Sequence, residues 1–324
     1  MRARIVSHNS PSNNYLGPIT NYNMGHQLLL TSCIPHSHYT QTVATLQALT
    51  GSHSPQTIAT YTILTKPKNV FKPKFEPGKV NQIEQFYMKC TTVWNDDASK
   101  ILDIARPVVE GDFDISVDRL FAGKEVKHWT LQIADIPNAG KNVVSAQNFY
   151  ESTVVHHHTS VTEQVPNRNL REEANADVVE VSPVPTPQQT NTTDDVEMVD
   201  TAETSSETKD SFLQFLDDLG YGVVNQYWMK GIRFFQGDIV IEIFKIFVRD
   251  DDAPFQESKI KLQLLDDSNA FQIKAYISFP KGAGVDLINK GTKDLTTLQA
   301  TLHNLFELGV PDRMCMDSRV ARYA

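Results

Sequence analysis

Apolar residues recur at every second position along much of this chain. Lys259–Leu265 alternates with Ile260, Leu262 and Leu264 facing inward, and Phe271–Phe279 repeats the rhythm through Phe271, Ile273, Ala275, Ile277 and Phe279. In Lys127–Ala134, Trp129, Leu131 and Ile133 share one face while His128, Thr130 and Gln132 share the other. Successive side chains of a strand point to opposite sides, so a period of two marks a strand with one covered face. Gln27–Pro35, Ile58–Thr65 and Ile83–Trp94 add strands by their β-branched and apolar composition. Val223–Phe235 and Ile239–Val248 flank Gln236-Gly237-Asp238, a hairpin with a three-residue connection and a central glycine. Ile239–Val248 is apolar on both faces apart from Glu242 and Lys245, which predicts a strand covered on both sides.

Three segments break the alternation with helical spacing. Gln41–Thr50 carries Val43, Leu46 and Leu49 before Gly51, and Phe212, Phe215, Leu216 and Leu219 precede Gly220. Thr292–Leu308 aligns Leu295, Leu298, Leu302, Leu305 and Phe306 before Gly309 and Pro311. Strands outnumber helices, and nothing shows the strand–helix–strand rhythm of a parallel sheet. The four period-two runs after Asp210 predict an antiparallel meander. The expected fold is mainly β with a few helices, an antiparallel sheet curled into a barrel.

Charge refines the organisation. The 324 residues carry 30 Lys+Arg and 39 Asp+Glu, a net charge of −9. Thr159–Asp210 alone holds 12 acids and 3 bases, which leaves 27 of each sign in the remaining 272 residues. That segment also lacks Phe, Tyr, Trp, Gly and Cys. It buries too little apolar area to offset an ordering entropy of roughly 1–2 kcal/mol per residue, and it reads as disordered. The domain reading is a flexible tail over 1–25, a first part of the barrel over 26–158, the acidic insertion over 159–210, and a second part over 211–324 with the C-terminal helix and tail.

A neutral body without a basic stripe argues against binding nucleic acid through many phosphates. No apolar run approaches the roughly 20 residues that span a bilayer, and Arg2 and Arg4 are followed by no apolar stretch of a secretory signal. Cys33, Cys90 and Cys315 stand far apart, as expected of free thiols in a reducing compartment.

Few residues suggest chemistry. Three consecutive residues cannot converge on one ion from a regular element, so His156-His157-His158 reads as a solvated tract. His36-Ser37-His38 reads as a loop after Pro35. Asp112-Phe113-Asp114 offers only two carboxylates to a hard cation and reads as a loop near a strand end. Gly282-Ala283-Gly284 lacks the third glycine of a dinucleotide fingerprint and opens no immediate helix. Lys66–Lys79, with Phe71 and Phe75 interleaved, is the one basic cluster, read as a solvated loop.

Five blocks, in order, resemble the fungal Mediator subunit 18 family. They are Gln27–Pro35 with Leu46–Gly51 (QLLLTSCIP…LQALTG), Trp129–Gly140 (WTLQIADIPNAG), Gly231–Phe235 (GIRFF), Phe271–Ile277 (FQIKAYI) and Val310–Ala321 (VPDRMCMDSRVA). The resemblance implies an antiparallel barrel of the Mediator subunit 18/subunit 20 type, related in shape to tunnel RNA triphosphatases. It implies a heterodimer with Mediator subunit 20, a tether through the C-terminal helix of subunit 8, and a place in the nuclear head module contacting the RNA polymerase II initiation machinery. No enzymatic activity, metal or cofactor is implied. Within the last block, Pro311, Asp312, Arg313, Asp317, Ser318 and Arg319 are candidates for partner binding or C-terminal anchoring, with Arg313 and Arg319 pairing with carboxylates. The enzymatic alternative is a tunnel-type metal-dependent RNA 5′-triphosphatase. It needs carboxylates at i and i+2, because only those face one barrel interior. Glu242 has Phe244 at that position, and no Glu-x-Glu occurs in the chain.

Overall fold

The computed structural model describes residues 4–5, 23–70, 85–108, 115–118, 126–138, 143–163, 207–254 and 259–320. Their elements, in chain order, are β1 (Arg4–Ile5), β2 (Asn23–Ile34), α1 (Tyr39–Thr50), β3 (Gln56–Pro67), β4 (Met88–Val93), α2 (Asp97–Ile101), β5 (Ser116–Asp118) and β6 (Val126–Ala134). They continue with β7 (Ser145–His157), β8 (Ser160–Glu163), β9 (Glu207–Asp210), α3 (Ser211–Asp218), β10 (Tyr221–Gln236), β11 (Ile239–Arg249), β12 (Lys259–Leu264), β13 (Phe271–Pro280) and α4 (Val285–Leu302).

Hydrogen-bonded pairing runs β10-β3-β4-β6-β7-β2-β13-β11, and β11 returns to β10. These eight strands form a closed antiparallel barrel, the fold class expected from the alternation. Closure removes the unpaired edges that an open sheet of this length would expose. The final strands are not the simple meander predicted. β11 forks: Val240–Phe244 pair with Gln272–Tyr276 of β13, whereas Phe247–Arg249 pair with Leu262–Leu264 of β12. β12 then carries β5 on its other edge. The β10–β11 turn is also one residue tighter than expected. Gln236 pairs with Ile239, so only Gly237 and Asp238 turn, with Gly237 at φ +60.

An eight-stranded barrel is too narrow inside to hold a helix, so the helices mark the outer surface. The apolar positions of the strands lie on that side. Leu295, Leu298 and Leu302 of α4 cluster with Leu28, Ile277 and Phe279. Tyr39 of α1 stacks on Phe271 at 4.3 Å, and Phe212 of α3 stacks on Trp129 at 3.9 Å. The residues expected to face inward are therefore sandwiched between barrel and helices. Each such side chain contributes roughly 1.5–3 kcal/mol by leaving water.

Helix α4 starts and ends earlier than its spacing suggested. Gly284 caps it directly, and Leu305 and Phe306 lie past its last turn. The early start was hidden by Gly291, which weakens the helical pattern yet serves the packing. A Cβ there would lie 2.6 Å from Cζ of Phe279, so the missing side chain lets α4 settle on the barrel.

Two boundaries of the domain reading meet ordered structure. Arg4–Ile5 pair with Val154 and Val155 of β7, and β2 begins at Asn23. At the acidic insertion, Ser160–Glu163 pair with Glu207–Asp210, a two-stranded neck outside the barrel. Residues 164–206 lie outside those described, as do Asp112-Phe113-Asp114, Phe71 and Phe75.

Candidate functional site

With the apolar face turned outward, the alternate positions point into the barrel, where charged and polar residues stand among apolar ones such as Val240 and Phe244. From β11 comes Glu242, from β10 Arg233, from β13 Lys274 and Tyr276, from β7 Glu151, from β6 Gln132, and from β4 Lys89. Register places Glu242 directly opposite Lys274 on one side and Arg233 on the other. Lys274 also feels the charges of Lys89 and Glu151. β4 stands four strands from β13 in either direction around the ring, so the charge of Lys89 meets Lys274 only across the lumen.

Glu242 is the best-held group in this space. Its Oε1 accepts from Nε of Arg233 at 2.9 Å, from Nη2 of the same guanidinium, and from the hydroxyl of Tyr276 at 3.1 Å. Burial, with the neighbouring Glu242 carboxylate, pushes the Tyr276 phenol above its ordinary range, so it remains a donor. Glu151 accepts from Nε2 of Gln132 at 2.7 Å. Each lumen carboxylate is thus held by protein donors, and Glu242 has Val240 and Phe244 at i−2 and i+2. Among the described residues no three His, Cys, Asp or Glu side chains are grouped as a metal site.

The tail residues nominated from the sequence run along one end of the barrel. Gly309 forms a two-way backbone bridge with Thr31 of β2. Met316 accepts from Nε2 of Gln147 through its carbonyl at 3.1 Å, and Ser318 donates through Oγ to the carbonyl of Ala134. The chain then pairs with the start of β4: Tyr87 N–H donates to Ser318 O at 2.7 Å, and Val320 N–H to Gln85 O at 2.8 Å. Arg313 does not seek a carboxylate. Its Nε donates to the carbonyl of Pro137 at 2.8 Å. Arg319 pairs with Asp317 two residues away, which holds the Asp317 carboxyl below its ordinary range. Asp312 accepts from Met314 N–H in a local turn, and Pro311 beside it is half-buried.

Two outer clusters depart from their sequence reading. The histidine tract is not simply solvated. His158 is fully buried, its Nδ1 2.9 Å from Asp210 Oδ2, and its Nε2 accepts from the indole of Trp129 at 3.0 Å. An indole nitrogen only donates, so the ring is the neutral Nδ1–H tautomer. Asp210 caps α3 through Phe212 N–H, and His156 reaches Ser211 Oγ at 2.8 Å. Nothing local in the sequence announced this, because Asp210 lies 52 residues from His158. His36 sits in a short 3₁₀ turn, 3.2 Å from the Nζ of buried Lys245, which also donates to Asn269 Oδ1 at 2.9 Å. Beside α3, an open groove of about 640 Å³ is lined by Trp129, Phe212, Leu213, Val223 and Val224.

These features define an eight-stranded barrel with a helix-clad apolar exterior, a charged lumen, and carboxylates held by protein donors. Comparison with known proteins supplies the family. Residues 26–319 match the family described as Med18 protein, and the chain belongs to that family. "Mediator of RNA polymerase II transcription subunit 18" of Debaryomyces hansenii is 50% identical over 348 residues, covering 92% of this chain and 99% of the relative. The protein of the same name in Candida albicans is 44% identical over 349 residues, with the same shares covered. A chain in the structure of the Schizosaccharomyces pombe Mediator head module shares the fold, with a TM-score of 0.50 at 10% identity. That match covers 88% of this chain and 98% of that one.

Proposed function

We propose that this protein is a non-enzymatic subunit of the Mediator head module, a nuclear transcription coregulator that links regulators to RNA polymerase II initiation through protein contacts. The family match across residues 26–319 carries the reading. The lumen supports its non-enzymatic part. A metal-dependent triphosphatase needs free, alternating carboxylates, whereas Glu242 is single and bound by Arg233 and Tyr276.

In this reading the partners are Mediator subunit 20, the C-terminal helix of subunit 8 and the rest of the head module, and through them the initiation machinery. Pro311, Asp312, Arg313, Asp317, Ser318 and Arg319 anchor the C-terminus and present its charged outer side to a partner. Co-expression with subunits 8 and 20 tests the assembly: a stable complex on a sizing column is expected, and a chain that stays monomeric overturns it. Metal-dependent phosphate release from triphosphate-ended RNA, lost in Glu242→Gln, would establish the enzymatic alternative instead.

A further inference from the structure

Two lysines stand side by side on the apolar face of the barrel. Register sets Lys230 of β10 directly opposite Lys245 of β11. Each tethers one end of the segment Ser99–Val108 to the wall. The half-buried Lys230 donates from Nζ to the carbonyl of Ser99 at 2.6 Å. Lys245, 1% exposed, donates to Oδ1 of Asn269 at 2.9 Å, and the same oxygen accepts from Val108 N–H at 2.9 Å. Asn269 returns its Nδ2 to the carbonyl of Val108 at 2.9 Å, from a left-handed backbone at φ +60. Between the two tethers, Ile104 is buried in the same core cluster as Tyr39 and Phe271.

His36 completes this attachment. Its Nδ1 lies 3.2 Å from Nζ of Lys245, and the ring also hydrogen-bonds the backbone of Ala105. An ammonium offers donors and no lone pair, so Nδ1 is the acceptor and the imidazole is neutral. A second proton would set an N–H of His36 against the ammonium, losing the hydrogen bond and adding like-charge repulsion. The surroundings do not offset that charge. Tyr39 and Phe271 lie beside the ring, with centroids 6.5 and 5.4 Å away. Lys230 adds another cation from β10, Asp266 pulls on Lys245, and Asp103 on the segment itself is paired with Arg106 at 3.6 Å. Burial, reinforced by Lys245, holds the His36 imidazole below its ordinary range.

We infer that Ser99–Val108 is a strap latched to the barrel wall while the His36–Lys245 pair carries one charge, and that a second proton, taken by His36, releases it. Release uncovers the apolar wall beneath Ile104. The released ring titrates near its ordinary value of about 6.5 and the latched ring below it. Closure is therefore complete above that value and weakens as the pH falls through it. Lys245 keeps its proton throughout this range. The latch is intrinsic to the chain and does not depend on assembly with other head subunits.

Amide exchange of the full chain tests the latch, read by mass spectrometry on peptides covering 99–108 and corrected for the intrinsic rate. Between about pH 7.5 and 5.5 the wild-type strap should open progressively, by at most about tenfold per pH unit, the limit for one proton. Peptides of β13 should not change. His36→Gln supplies an acceptor that does not titrate and should keep exchange slow at both ends of the range. His36→Leu supplies none and should exchange fast at both. An NMR titration of the His36 ring gives a second reading: its midpoint should lie below that of the unfolded chain and move up in Lys245→Met. Exchange over 99–108 that is independent of pH in the wild type, or equally dependent on it in His36→Gln, overturns the inference, as does a His36 ring that titrates as in the unfolded chain.

Discussion

Neighbouring residues of β13 occupy two different media. Phe271, Ile273, Ala275 and Ile277 are at most 2% exposed under the helices, while Gln272, Lys274 and Tyr276 reach into a polar, water-accessible lumen. β11 repeats the division, with Ile241 and Ile243 outside and Glu242 inside. The cohesion of this barrel resides between its wall and its helices, and its interior is left for polar side chains. These polar side chains are confined to the inside of the wall while the helix layer holds the fold from outside.

The sharpest way to break that division is to excavate the outer face. Ile273→Ala should cost about 2–5 kcal/mol, read as a shift in the urea midpoint at unchanged slope. Inside the lumen, Glu242→Gln leaves the Arg233 guanidinium without its counter-charge. A fully buried pair broken this way loses about 3–5 kcal/mol, but Arg233 keeps some water, so a loss of roughly 2 kcal/mol is expected by the same measurement.

Lys245 sharpens the comparison because it is a charge on the apolar side. It is 1% exposed, faces His36, Asn269 and the Phe271 ring, and burial brings its pKa down to about 8 against the weaker pull of Asp266. The folded-state value lies below the unfolded one of about 10.4, so the unfolded chain holds the extra proton between them. Wild-type stability relative to Lys245→Met should therefore be low and flat from about pH 7 to pH 8. It should then rise by about 1–3 kcal/mol as the pH climbs toward 10, followed by denaturant titration at each pH.

Smaller effects test the tail and the lumen wall. Arg313→Ala removes one hydrogen bond to Pro137 and should cost about 0.5–1.5 kcal/mol, a melting shift of a few degrees. Gln272→Ala, one residue from Ile273 but on the wetted side, should stay within about 0.5 kcal/mol of wild type. A large loss there would show that the lumen is packed rather than polar.

Much of the fold was legible in local pattern. Period-two runs located β6, β12 and β13, Gly51 and Gly220 marked the ends of α1 and α3, and the two-sided apolarity of Ile239–Val248 marked the strand that pairs with three others. Pattern misled where one residue served two demands. Gly291 obscured the first turns of α4 because packing on Phe279 required a missing side chain. The His158–Asp210–Trp129 cluster was illegible because its members are scattered along the chain.

The sequence by itself determined which residues share a face, since the two-residue repeat of a strand is a property of the backbone. It also located the acidity in one segment and left the body neutral. Which face lies inside the barrel was decided only by the tertiary structure. Alternation is the same whether apolar residues fill a lumen or meet a helix layer outside. Ring closure and the seats of α1, α3 and α4 resolve it, and the same closure brings Lys89 across from Lys274. Charges on strands far apart in sequence become neighbours because a closed sheet has an inside.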